Sequence, residues 1–143
     1  MKPETKTFQA ELKQAGDEGS FEAVIATLGV VDSDGDVIAA GALDGRSAFI
    51  VPAHDHGSVP LGKVRTEERG DSVVASGRFF LDVTPAADWF KAIKADLSDG
   101  NPVQEWSWGF YIEKAHAEER DGQEVRVIEA VDLLEVSPVL RGA

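Results

Sequence analysis

Between Val103 and Ile112 the chain reads VQEWSWGFYI, and the large apolar residues Trp106, Trp108, Phe110 and Ile112 fall at every second position. Residues two apart share a face only in an extended strand, so this run predicts a strand with one aromatic face that must lie on a core. The other face carries Glu105, Ser107, Gly109 and Tyr111, which holds the Ser107 hydroxyl opposite an aromatic anchor. A strand built this way needs a sheet around it and a second layer to cover the aromatics.

The rest of the chain supplies both. Thr5 to Leu12 alternates through Phe8, Ala10 and Leu12, and Phe21 to Leu28 (FEAVIATL) is rich in strand formers; a polar loop from Gly16 to Ser20 separates them. Lys63 to Glu67 and Ser72 to Leu81 (SVVASGRFFL) predict a hairpin, and Glu124 to Ile128 a further strand after the Asp121-Gly122 turn. Asp132 to Leu140, with Val136, Pro138 and Val139, predicts an edge or terminal strand, because proline donates no ladder hydrogen bond. Gly41 to Ile50 predicts a turn of helix or an irregular connection, and the charged stretch from Glu113 to Gln123, with His116 in it, a solvated loop. A helix is expected at Thr84 to Ser98, with Thr84 as N-cap, Pro85 at the first helical position, Trp89, Phe90, Ile93 and Leu97 along one face, and Gly100 past the end. Many short strands and one good helix predict a mainly β, α+β domain: a barrel or sandwich with helices packed outside.

At 143 residues the chain has the length of one domain, expected to occupy 1–143, and 43% apolar with 28% charged residues fits a soluble globular core. No apolar run approaches the ~20 residues that cross a bilayer, and Met1 to Asp17 lacks the apolar segment of a signal peptide, so no membrane partner is expected. Without cysteine there is no thiolate nucleophile, zinc finger or disulfide. The net charge of −12 opposes nucleic acid as a partner, since that affinity comes largely from Lys and Arg on phosphates. Asp32-Ser-Asp-Gly-Asp36 invites a calcium loop, but the sixth and twelfth positions hold Val37 and Leu43 where Gly and Glu are required, so it reads as a turn.

Chemistry concentrates in Val51 to Val64 (VPAHDHGSVPLGKV), which carries His54 and His56. Unperturbed histidine titrates near pH ~6.5 and serves as a proton shuttle, although a His-Asp-His cluster in a loop is more often a solvated turn than a site. Serine hydrolysis needs a hydroxyl, a base and an acid that orients the base; Ser107, His54 and Glu135 of LLEVSPV offer these from separate strands or strand ends. Asp55 is the poorer acid, since in an extended segment it points away from its neighbour His54. A competing reading, a metal hydrolase, uses His54, His56 and a carboxylate such as Asp55 or Asp36.

Four blocks in order, VVDSDGDVIAAGAL, AHDHGSVPLGKV, WSWGFYI and LLEVSPVLRGA, resemble the prohead maturation proteases of tailed bacteriophages from Val30 onward. The resemblance implies a cofactor-free serine endopeptidase with a compact β-barrel surrounded by helices, similar to herpesvirus assemblin. It would act in the host cytoplasm, inside the immature capsid, on major capsid protein or scaffold segments and on itself, as a homodimer by analogy. Residue by residue, the family histidine falls on His54, the serine on Ser107 and the acid on Glu135, with Arg141 and Gly142 in the segment that stabilises the oxyanion. His56 has no family counterpart. Tryptophans flank Ser107 where smaller aliphatics are usual, and such proteases commonly continue past the position of Ala143, so a domain truncated at its C-terminus is expected. A non-catalytic capsid-associated barrel is the alternative from another class, to be recognised by His54 and Ser107 standing too far apart to interact.

Overall fold

A computed structural model describes residues 2–8, 12–15 and 18–139. In chain order the elements are β1 (Glu4–Phe8), β2 (Leu12–Ala15), β3 (Ser20–Thr27), β4 (Asp36–Ile38), β5 (Ser47–Ile50), β6 (Gly62–Arg69), β7 (Ser72–Phe79), α1 (Thr84–Ser98), β8 (Glu105–Arg120) and β9 (Gln123–Val139). A one-turn 3-10 helix, Pro52–His54, follows β5. The strands form one sheet in the order β1-β8-β9-β5-β6-β7-β3-β2, with β4 pairing β9 separately. Strands β1 and β2 stand at opposite ends of that order yet are joined by three residues. Four backbone steps span at most about 14 Å, so the sheet must curl until its ends approach, giving a half-barrel.

The aromatic face of β8 lies inside this curl, as its alternation predicts. Trp106, Trp108 and Phe110 are fully buried; Trp106 stacks on Phe21 with centroids 5.1 Å apart and meets Phe79 edge-on at 6.3 Å. The Trp108 indole N–H donates to the Ile25 carbonyl at 3.1 Å, so the polar atom of this buried ring is satisfied. Helix α1 adds Ala86, Phe90 and Ile93 to the same core, with Phe90 5.4 Å from Phe79.

Several expectations are corrected. The barrel is not surrounded by helices: among the described residues α1 is the one α-helix. Thr84 is the first helical residue and not the cap; Val83 holds that place with no side-chain cap. The predicted first strand is divided between β1, on β8, and β2, on β3, and its Ala10 lies outside the described residues. Gly41 to Ile50 ends as strand β5. The charged stretch from Glu113 is no loop but the outer half of β8, which runs to Arg120 and returns as β9 through Asp121-Gly122, both with positive φ (51° and 78°) as a tight hairpin turn requires. His116 therefore sits on a strand, its Nδ1 3.0 Å from Glu129. Strand β9 is not an edge: it pairs with both β8 and β5. Pro138 is tolerated because β5 accompanies β9 only as far as Val136.

Candidate active site

Strand pairing brings the site together. In the β8–β9 register Ser107 faces Ser137 and Gly109 faces Glu135, so these four residues share the face opposite the aromatics. Over them lies the turn after β5, in which Ala53 (φ 45°, ψ 45°) and His54 (φ 61°) are both left-handed. Such a conformation costs a non-glycine residue roughly 1–2 kcal/mol, and two in succession persist only where the surroundings hold them.

What holds them is a short hydrogen-bond network. The His54 backbone N–H donates to Ser137 Oγ at 3.1 Å, and the Ser137 hydroxyl donates to Glu135 Oε1 at 3.3 Å. Glu135 Oε1 in turn lies 2.5 Å from His54 Nδ1. Nδ1 is thus the ring nitrogen turned to the carboxylate, and Nε2 lies on the other side of the ring. Glu135 is 1% exposed whereas the His54 side chain is 29% exposed, so the acid is shut away and the ring reaches solvent. Among the described residues the second oxygen of Glu135, Oε2, has no hydrogen-bond partner, and a Cβ added at Gly109 would stand 3.0 Å from Oε2 and 3.1 Å from Oε1. Gly109 is thus the position whose missing side chain makes room for the carboxylate.

Ser107 is fully buried, and its Oγ donates to the Lys6 carbonyl at 2.9 Å and accepts from Thr7 Oγ1 at 3.2 Å. It shares no hydrogen bond with His54; the link between them runs through Ser137, its neighbour across the strand pair. Strand β1 is pinned in this place by charge. The Lys6 ammonium lies 2.7, 3.0 and 2.7 Å from carboxylate oxygens of Asp32, Asp34 and Asp36, and Arg126 bridges Asp36 and Glu4 at 2.8 Å each. Burial alone would lower the Lys6 pKa, but bonds to Asp32, Asp36 and Asp34 outweigh it and raise it. Burial likewise pushes Asp36 up, and bonds from Arg126 and Lys6 more than reverse this, holding its carboxyl below the usual range. The turn read from DSDGD is confirmed by Asp32 Oδ1 accepting from Asp34 N and Asp36 N, and its three carboxylates converge on a lysine.

Among the described residues the potential metal ligands that gather in a group of three are Asp32, Asp34 and Asp36, and neither His54 nor His56 joins them. Asp55 accepts from Gly57 N at 3.0 Å and His56 is exposed, so Asp55 leaves Glu135 unchallenged as the partner of the ring. Arg141 and Gly142 lie outside the described residues. Sequence reasoning missed Ser137 and Gly109. Both were readable: alternation puts Ser137 on the face of Glu135, and a glycine between Trp108 and Phe110 marks a close approach.

No curated protein matches the chain in sequence. Among solved structures, the gp21 capsid assembly protease of bacteriophage T4 is similar in fold, with a TM-score of 0.52 at 12% identity over 98% of this chain and 99% of that one. The sequence pattern of a protease family described as caudovirus prohead serine protease matches residues 8–143, the span that includes β3 to β9 and the His54, Ser107 and Glu135 cluster. The family implied by the four motif blocks is therefore the one found, and this chain belongs to the caudovirus prohead serine proteases.

Proposed function

We propose that the protein is a prohead maturation endopeptidase in which Ser107 is the nucleophile, His54 the general base and Glu135 the acid that orients it. The observation that carries this reading is the 2.5 Å contact of His54 Nδ1 with the buried Glu135, the pairing of base and orienting acid that a serine hydrolase uses. As the Ser107 hydroxyl turns from the Lys6 carbonyl toward Nε2, its oxygen attacks the scissile carbonyl carbon and its proton passes to the ring. Glu135 supports the imidazolium so formed. Collapse of the tetrahedral intermediate expels the amine, which takes the proton from Nε2 and leaves an acyl-serine; water, deprotonated by the same nitrogen, then releases the acid and restores Ser107. Arg141 and Gly142 are the oxyanion donors in this reading, and the half-barrel is kin to that of herpesvirus assemblin.

Capsid or scaffold segments inside the immature capsid are the substrates, and the chain itself a further one. The test is co-expression with the phage capsid protein. The parent should trim it, and Ser107→Ala and His54→Ala should not. Trimming that persists in Ser107→Ala would overturn the assignment and favour a scaffold-like barrel beside another protease.

A further inference from the structure

The outer surface beside the His54–Glu135 pair carries a groove of about 660 Å³ that the chemistry above does not use. Phe49 of β5 pairs with Glu135 of β9 in parallel register, Lys63 of β6 faces Phe49, and Arg78 of β7 faces Lys63. Paired residues point their side chains to the same face, so Phe49, Lys63 and Arg78 extend in a row from the acid, with Arg65 two residues along β6. Leu134, the residue skipped where the β8–β9 register shifts between Gly109 and Phe110, completes the lining.

Two features mark this groove as built for a partner. Phe49 is 47% exposed, a large aromatic held in water at the centre of a sheet. Lys63, Arg65 and Arg78 are exposed and, among the described residues, have no ion-pair partner, in a chain with 26 acidic and 14 basic residues. By contrast Lys6, Arg46, Arg69, Lys114, Arg120 and Arg126 each lie within 4.0 Å of a carboxylate. Three cations on one face of a protein of net charge −12, unpaired among the described residues, form a local positive field that selects acidic groups.

The distance to the candidate nucleophile fits one substrate chain reaching both places. Strands lie about 4.8 Å apart, so from Ser107 on β8 the groove begins about 10 Å away at β5 and ends about 19 Å away at β7, roughly three to six residues of extended peptide. We infer that this groove docks an extended acidic segment of the substrate protein, seating an apolar side chain against Phe49 and Leu134 and carboxylates on Lys63, Arg65 and Arg78. The inference rests on Ser107 being the nucleophile only for its catalytic meaning; the docking itself is measured separately.

The experiment uses the full chain carrying Ser107→Ala and fluorescence anisotropy with two synthetic peptides of about twelve residues. One has Glu at alternate positions and a central Leu, and the other has Gln in place of each Glu. At about 50 mM salt the Glu peptide should bind roughly tenfold more tightly than the Gln peptide, and at about 500 mM the difference should shrink to about threefold or less. Lys63→Glu, Arg65→Glu and Arg78→Glu should each reduce the preference, and Phe49→Ala should weaken both peptides. Equal binding of the two peptides, or a Glu preference that survives all three charge reversals, overturns the inference. A dimer in sedimentation that Phe49→Ala dissociates also overturns it, since the occupant is then a second copy. Fluorophosphonate labelling of the chain with Ser107 intact separates the two readings. A labelled parent with no peptide preference sinks the groove alone, whereas an unlabelled parent sinks the nucleophile and with it the groove's place as a substrate subsite.

Discussion

Replacing Ser137 by alanine removes one oxygen that makes two bonds, from His54 N–H at 3.1 Å and to Glu135 Oε1 at 3.3 Å. Ser137 is fully buried, so no water takes the place of its hydroxyl without rearrangement. A buried donor left unpaired costs roughly 1–3 kcal/mol, and the long bond to the carboxylate adds about 0.5–1.5 kcal/mol. Relaxation of one of the two left-handed residues, Ala53 and His54, returns about 1–2 kcal/mol of this. The net loss is about 2 kcal/mol, or roughly 4–8 °C in thermal midpoint for a chain of this size. The relaxation is what should damage catalysis, because the turn that carries the ring leaves its place, and a misplacement near 1 Å costs about 10²-fold. Cleavage of a fluorogenic capsid-derived peptide, assayed well below the midpoint, should show kcat reduced by roughly 10- to 100-fold with KM nearly unchanged. A folded Ser137→Ala protein with parental kcat would refute the claim that this hydroxyl positions His54, even if its midpoint had dropped.

Other outcomes follow from the same geometry. Gly109→Ala puts a methyl 3.0 Å from Glu135 Oε2; steady-state kinetics should show a loss of roughly 3- to 30-fold, and parental activity would mean the carboxylate has room to move. Trp108→Ala should cost about 3–5 kcal/mol in a denaturant melt, since it empties a fully buried site and removes the hydrogen bond to the Ile25 carbonyl; a loss below about 0.5 kcal/mol would put the ring at the surface. The Lys6 cluster should make stability depend on pH at both ends. Asp36, lowered in the folded state, stabilises above its unfolded value near ~3.9 and loses this as pH falls through the folded value; Lys6, raised in the folded state, stabilises below ~10.4 and loses this as pH rises through its folded value. The difference in thermal midpoint between parent and Lys6→Met should thus stay constant between about pH 5 and 9, with the variant lower throughout; equal midpoints would show that the cluster contributes nothing.

The alternation of Trp106, Trp108 and Phe110 was legible because the two buried faces of β8 differ in chemistry, large aromatics on one and Ser107 and Gly109 on the other. The outer half of the same strand was not legible, since Lys114, Ala115, His116 and Ala117 are all exposed and carry no apolar signal to mark the strand. β5 was missed for a related reason: Ile50 is buried but Phe49 is held out in water, so its pattern resembles no amphipathic strand. Pro138 points to an edge or terminal strand; β9 is the last strand of the chain but no edge, because the neighbouring β5 stops short of the proline. His54 and Glu135, 81 residues apart, were proposed as partners from chemistry and resemblance, and the fold brings them into contact. The Ser107 hydrogen bond to Lys6 was beyond reach, because it depends on which strand adds to the edge of β8.

The most direct measurement is intact-mass and peptide-mapping spectrometry after treatment with a fluorophosphonate, which reacts with a serine made nucleophilic by a neighbouring base. The account predicts one adduct, on Ser107, absent in Ser107→Ala, and formed far more slowly in His54→Ala and Glu135→Gln. An adduct on Ser137 instead, or Ser107 labelling that is indifferent to His54, would contradict it.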